Sequence, residues 1–201
     1  MSKVSGFILK QSKIILLVVI VVVASIFANN PIENIFTVIM SQATFMLIYC
    51  LGMTLAILTG GLDLSVGSVA AFSSYIGATL IIEGYVVPGI IVALAIGAGI
   101  GAINGLLISK VKLSPFIATY GMDWLVRGLV LFILAGKKIF GFSPAFTSIS
   151  KGAVVEFTST MKISNPFVIA LVIFLVLLFL MRKPTFGRNV YCVGLNAKAT
   201  R

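Results

Sequence analysis

Asp63 and Ser65 lie two residues apart in the segment Thr59-Gly-Gly-Leu-Asp-Leu-Ser-Val-Gly67, a carboxylate and a hydroxyl directly behind a pair of glycines. Two glycines stop a helix, and either polar side chain can cap the next one, so the plain expectation is a tight turn with an N-cap. Drawn into a bilayer, the same residues become a broken helix whose free N–H groups, carboxylate and hydroxyl must face a polar path. A second pair, Asp123 and Arg127, is four residues apart and stacks on one helix face, with Trp124 beside it. That pair either holds helices together as an ion pair or faces a water-filled cavity. Asn104 joins these five as a candidate for the same path. Other chemistry finds little support. The chain has no histidine, and its acids, Glu33, Asp63, Glu83, Asp123 and Glu156, are far from one another. Cys50 and Cys192 have no metal-ligand spacing, and no Gly-rich, Lys-terminated phosphate loop occurs. No catalytic residue, metal or cofactor is expected, and any nucleotide chemistry falls to another chain.

Composition says what kind of element must hold these groups. Of 201 residues 60% are hydrophobic and only 10% charged, with a mean hydropathy of +1.19. An ordinary soluble chain is about a quarter charged, so a soluble enzyme, a nucleic-acid binder and a disordered tail all fit poorly. The chain reads as a membrane protein. Its net charge of +10 sits in short basic clusters between apolar runs, which is topogenic charge rather than a nucleic-acid footprint.

Six spans are predicted: Ile14 to Ala28, Ile35 to Leu58, Leu64 to Ile82, Tyr85 to Ser109, Pro115 to Ala135 and Pro166 to Met181. Asn29-Asn-Pro31, Gly60-Gly61, Glu83-Gly84 and Lys110-Val-Lys112 punctuate the first four, and Pro115 and Pro166 stand at helix starts, where a missing N–H costs nothing. The first run could pass for a signal peptide, but Ser25-Ile-Phe-Ala28 lacks the small residue two before Ala28, so it reads as a retained helix. The fold class is therefore all-α, a polytopic transmembrane helix bundle within one domain over residues 1–201.

With the N-terminus cytoplasmic, the inner segments hold ten basic residues, Lys3, Lys10, Lys13, Lys110, Lys112, Arg182, Lys183, Arg188, Lys198 and Arg201. The outer side holds four, Lys137, Lys138, Lys151 and Lys162, all in one loop over 136–165. Such a bias predicts both termini inside and that loop outside.

Ala93, Gly97, Gly101 and Gly105 recur every four residues in the fourth span and predict a small-residue face for close helix packing, within the chain first and with a partner second. The basic tail over 182–201 mixes a Phe-Gly turn, a short aromatic and apolar stretch and Ala-rich residues, a pattern suited to docking. Phe186 and Tyr191 would be its anchors, Gly187 and Gly194 its turns, and Arg188 its charged rim.

Four segments, TGGLDLSVGSVAAFSSYIGA (59 to 78), GAINGLLISKVKLSPFIATYGMDWLVRGL (101 to 129), IFGFSPAF (139 to 146) and PTFGRNVYCVGLNAKATR (184 to 201), together resemble the permease subunit of ATP-binding-cassette importers for monosaccharides. The resemblance is to the ribose-type branch, which includes xylose, galactose and autoinducer-2 systems. It covers nearly the whole chain in the family's order, although Ser114 and Tyr120 depart from the family's Pro-Pro-Phe and Thr-Leu-Gly wording. It implies an all-helical inner-membrane subunit of a bacterial cell, carrying a monosaccharide or similar small polyol. It also implies a second permease copy or homologue, two cytoplasmic ATP-binding subunits, an external sugar-binding protein and surrounding lipid as partners, with no nucleic acid. The turn at Asp63 and Ser65 is similar to the one that opens the family's third helix. Phe186, Gly187 and Arg188, with Gly194 and Asn196, resemble the start of its ATPase-contacting loop. Family members continue with several more helices, so the resemblance implies a permease incomplete at its C-terminus.

A secondary carrier or channel using Asp123 and Arg127, and a non-functional fragment, stand as the alternatives.

Overall fold

The structure, a computed structural model, describes residues 3–27, 32–135, 137–156 and 162–196. Along them run α1 (Lys3–Phe27), α2 (Ile32–Leu58), α3 (Val66–Ile82), α4 (Val86–Ser109), α5 (Pro115–Leu134), α6 (Pro144–Lys151), β1 (Ala153–Glu156), β2 (Lys162–Ser164), α7 (Asn165–Arg182) and α8 (Pro184–Asn196). Val38–Leu58, Val86–Ser109, Pro115–Leu134 and Asn165–Arg182 are long and apolar enough to cross a membrane, and Leu16–Ile26 and Val66–Ile82 are shorter apolar helices. The six lie where the six spans were expected, and four of them, among the described residues, have the length and composition to cross a membrane. Their limits follow local chemistry. Proline occupies the first turn of α5, α6 and α7. The left-handed backbone at Gly60 (φ +83°) and Gly84 (φ +96°) closes the turns after α2 and α3.

Burial is inverted relative to a soluble domain. The buried residues include Thr44, Ser65, Ser68, Asn104, Thr119 and Asp123, against Ile81, Ala118, Val126 and Ala170 among the hydrophobics, while large apolar side chains such as Phe132 and Leu131 face outward. Lipid accepts apolar side chains but not polar ones, so the polar groups turn inward. Helices α3, α4 and α5 pack on one another, α2 packs on α7, and α8 lies against both α7 and α2.

The tightest contact between α3 and α4 is glycine on glycine. A Cβ built on Gly77 would stand 2.7 Å from the Gly89 carbonyl oxygen and 2.9 Å from Ala93 Cβ, and one built on Gly89 would stand 2.6 Å from the Gly77 carbonyl oxygen. Gly97, Gly101 and Gly105 differ within this chain: an added Cβ there meets nothing within 4 Å. The reason is helical geometry. At 3.6 residues per turn a four-residue step overshoots by about 40°, so the series winds round α4 instead of keeping to one face. Of the series only Ala93 meets α3 closely, together with Gly89 four residues before it.

Two local elements were not foreseen. The segment expected as a loop over 136–165 contains α6 and an antiparallel hairpin pairing Ala153 with Ser164, Val155 with Ile163 and Glu156 with Lys162. The Ser143 hydroxyl caps α6 by accepting from the Phe146 N–H at 3.3 Å, and Asn165 Nδ2 donates to the Ser148 carbonyl at 3.0 Å, tying α6 to α7. The tail is the second case: α8 runs unbroken through Gly187 and Gly194, which are close-approach positions rather than turns.

Candidate functional site

The segment after Gly60 folds back into the bundle before α3 starts. The Thr119 hydroxyl, one turn into α5, lies 3.1 Å from the Leu62 carbonyl and 2.8 Å from the Pro115 carbonyl. Asn104, five residues before the end of α4, reaches Ser65 on the other side. The polar turn is thereby held roughly one helical turn inside the ends of α4 and α5. At the turn's other edge a Cβ on Gly61 would stand 3.2 Å from Pro115 Cβ, so glycine permits the close fit.

Within this frame Asp63 Oδ1 accepts from the Ser65 N–H at 2.9 Å and from the Ser65 hydroxyl at 2.6 Å. Asp63 thus binds the backbone where α3 begins, whereas Ser65 occupies the N-cap position without capping by its side chain. Ser65 Oγ instead accepts from Asn104 Nδ2 at 2.9 Å. The Ser68 hydroxyl donates to the Ser65 carbonyl at 3.0 Å, and Ser68 in turn sits beside Asp123. Arg127 Nε donates to Asp123 Oδ2 at 2.8 Å. Five of the six predicted path residues, Asp63, Ser65, Asn104, Asp123 and Arg127, therefore belong to one polar string across α3, α4 and α5.

Trp124 does not. It is 61% exposed and stands edge-on to Tyr120, which stacks on Phe116, in a ladder along the outer face of α5. Neighbours in sequence point about 100° apart on a helix, so Asp123 faces inward and Trp124 outward. Thr119 and Ser68 were missed. Their spacing carried the signal: Thr119 precedes Asp123 by four residues and Ser68 follows Ser65 by three, which puts each on its partner's face.

Two cavities flank Asp63. One of about 270 Å³ opens between the ends of α2, α4 and α5, lined by Thr59, Asp63, Gly101, Asn104, Gly105 and Thr119 among others. The second, of about 380 Å³, lies among α2, α3 and α4, with Tyr49, Asp63, Ser65, Ser73, Gly97 and Gly101 in its wall. Asp63 and Gly101 line both. Gly97, Gly101 and Gly105, at which an added Cβ meets nothing within 4 Å, line this space. A third cavity, of about 470 Å³, lies between α3 and α5 beside Arg127.

On α8, Phe186 and Tyr191 are exposed, at 43% and 50%, and Arg188 is exposed as well. Gly187 and Gly194 press against the carbonyls of Met181 and Leu58. Asn196 ends the helix, and its side chain lies outside the described residues.

Apolar helices turned outward, with a polar string and cavities held between them, are the architecture of a multi-pass membrane protein. Residues 35–201 match the family described as "Branched-chain amino acid transport system / permease component", and the chain belongs to that family. It is 32% identical over 203 residues to the ribose import permease protein RbsC of Escherichia coli K12, covering 98% of this chain and 61% of that protein. It is 37% identical to the ribose import permease protein RbsC of Bacillus subtilis, over 91% of this chain and 56% of that one. With the fructose import permease protein FruF of Bifidobacterium longum it shares 36% identity, over 82% of this chain and 46% of the other. The chain thus spans about 61% or less of the length of these relatives. No solved structure matches it.

Proposed function

We propose that this chain forms part of the translocation path of an ATP-driven importer for a monosaccharide or similar small polyol. The observation that carries the reading is the lining of the two cavities at Asp63. Their polar side chains are hydroxyls, an amide and one carboxylate, and neither wall contains Lys or Arg. A sugar is neutral and rich in hydroxyl donors, which such groups accept. An amino acid would bring a carboxylate with no side-chain cation to meet it, beside the carboxylate already there. Relatives named for ribose and fructose import agree with the polyol over the amino acid.

The chain lies in a bacterial cell membrane with its N-terminus and α8 in the cytoplasm and α6 with its hairpin outside, as the distribution of basic residues favours. Residues 182–201 are the ATPase-contacting segment, where Phe186 and Tyr191 offer exposed aromatic surface and Arg188 a charge, the residue types enriched at interface centres. ATP hydrolysis occurs on separate subunits. A second permease chain and an external sugar-binding protein complete the importer, whose differential binding to two states moves the path between outward and inward openings.

The test is uptake in bacterial cells lacking their own monosaccharide importers and supplied with the chain, an ATP-binding subunit and a sugar-binding protein from the same source. Labelled D-ribose, D-allose or D-fructose should accumulate against a gradient and stop when the ATPase is inactivated. Accumulation of L-leucine without any sugar would contradict the proposal.

A further inference from the structure

Ser65 Oγ has one proton and two close polar neighbours, Asp63 Oδ1 at 2.6 Å and Asn104 Nδ2 at 2.9 Å. A carboxylate only accepts, so the proton of Ser65 goes to Asp63. Toward Asn104 the serine oxygen can then only accept, which requires the amide NH2 of Asn104 to face Ser65. The orientation of that amide is therefore fixed by donor and acceptor logic rather than by shape. Its other end, Oδ1, is turned away from Ser65.

That oxygen is buried and has no hydrogen-bond partner. Asn104 itself is only 4% exposed, and it lines the smaller cavity together with Asp63 and Thr119. Buried polar groups in folded proteins are almost always paired, so an orphan acceptor beside a cavity marks a place where a donor arrives.

We propose that Asn104 is a specificity-determining residue that reads one hydroxyl of the sugar through Oδ1, and that Asp63 acts on it through Ser65 as a positioning residue. This rests on the sugar reading above. The relay turns a flexible amide into a fixed acceptor. A site built to accept from a hydroxyl strongly rejects the analogue that lacks it, because the buried acceptor is then left unpaired. Asn104 accordingly discriminates a full polyol from a version with that one hydroxyl removed, whereas apolar wall groups such as Ile108 do not.

The experiment measures binding of tritiated D-ribose, D-allose and D-fructose to the purified chain in lipid nanodiscs, in competition with the monodeoxy analogues of whichever sugar binds. The native chain should bind the parent sugar at least about tenfold tighter than one particular analogue. Asn104→Leu should bring the two within about twofold of each other, whatever happens to the absolute affinity. Ser65→Ala keeps the fold with a smaller change and releases the amide, so it should narrow the same gap, and it decides the matter alone if Asn104→Leu does not accumulate. A gap that persists in the accumulating variants overturns the role of Asn104 while leaving the sugar reading intact. Absence of saturable binding of all three sugars to the native chain overturns both.

Discussion

Gly194 of α8 lies against the backbone carbonyl of Leu58 at the end of α2, so closely that a Cβ at Gly194 would overlap the oxygen. From the other side Gly60 approaches the same residue, at 3.5 Å between its built Cβ and the Gly194 carbonyl oxygen. The tail helix is thus seated on Leu58 and Gly60, five and three residues before Asp63. Under the proposed function, a displacement of α8 by an ATPase reaches the polar turn without any intervening element.

Gly194→Val should therefore lower the thermal stability of the purified chain by about 1–3 kcal/mol, the usual range for overpacking a close contact. Leu195→Ala, at a position 87% exposed, should leave it unchanged. Equal melting curves for the two variants, measured by thermal scanning in detergent, would show that α8 is not seated on α2.

The glycine contact between α3 and α4 predicts a contrast within one helix. Gly89→Val forces a side chain into the Gly77 carbonyl and should sharply reduce the folded chain recovered from membranes. Gly101→Ala adds a methyl group to open space and should be recovered at the native level. Size-exclusion profiles of both variants check this, and similar losses for both would contradict it.

The ion pair between Asp123 and Arg127 is lopsided, with the Asp123 side chain 10% exposed and that of Arg127 59% exposed. Removing Arg127 strands a buried carboxylate, and removing Asp123 leaves an uncompensated arginine on a face of α5 that otherwise meets lipid. Arg127→Met and Asp123→Asn should each cost about 3 kcal/mol, and the double variant clearly less than the sum of the two. Additive losses in chemical denaturation would show that the groups are not coupled.

Sidedness is open to a direct check. With Cys50 and Cys192 replaced, a cysteine at Ser150 in α6 should react with an impermeant maleimide added outside intact cells, and one at Leu195 in α8 should react only after the membrane is opened. Labelling of both from outside would reverse the proposed orientation of α8.

Much of this architecture was legible in the residues, for physical reasons. Each apolar run becomes a helix because a backbone in lipid has no other way to satisfy its own hydrogen bonds, and Pro115 and Pro166 mark the starts. Asp123 and Arg127 were legible as a pair because a four-residue spacing fixes their geometry. Long-range juxtapositions were not. Nothing local in Asn104 or Ser65 announces a hydrogen bond between residues 39 apart in sequence. The small-residue series on α4 was visible, but which of its members pack depends on how it winds past α3. The paired strands Ala153–Glu156 and Lys162–Ser164 escaped notice because they are only four and three residues long. Gly187 and Gly194 looked like turns because glycine serves both turns and close approaches, and only the neighbouring carbonyls distinguish the two.

If the space around Asp63 holds a sugar, Gly101, which lines both cavities, is the position at which its presence is measured. At Gly101 an added Cβ meets nothing within 4 Å, so Gly101→Cys can be labelled with a small maleimide in nanodiscs, again with Cys50 and Cys192 replaced. The labelling rate should fall several-fold in the presence of D-ribose, D-allose or D-fructose and stay unchanged with L-leucine. A rate insensitive to all three sugars, or slowed by leucine alone, would contradict the account.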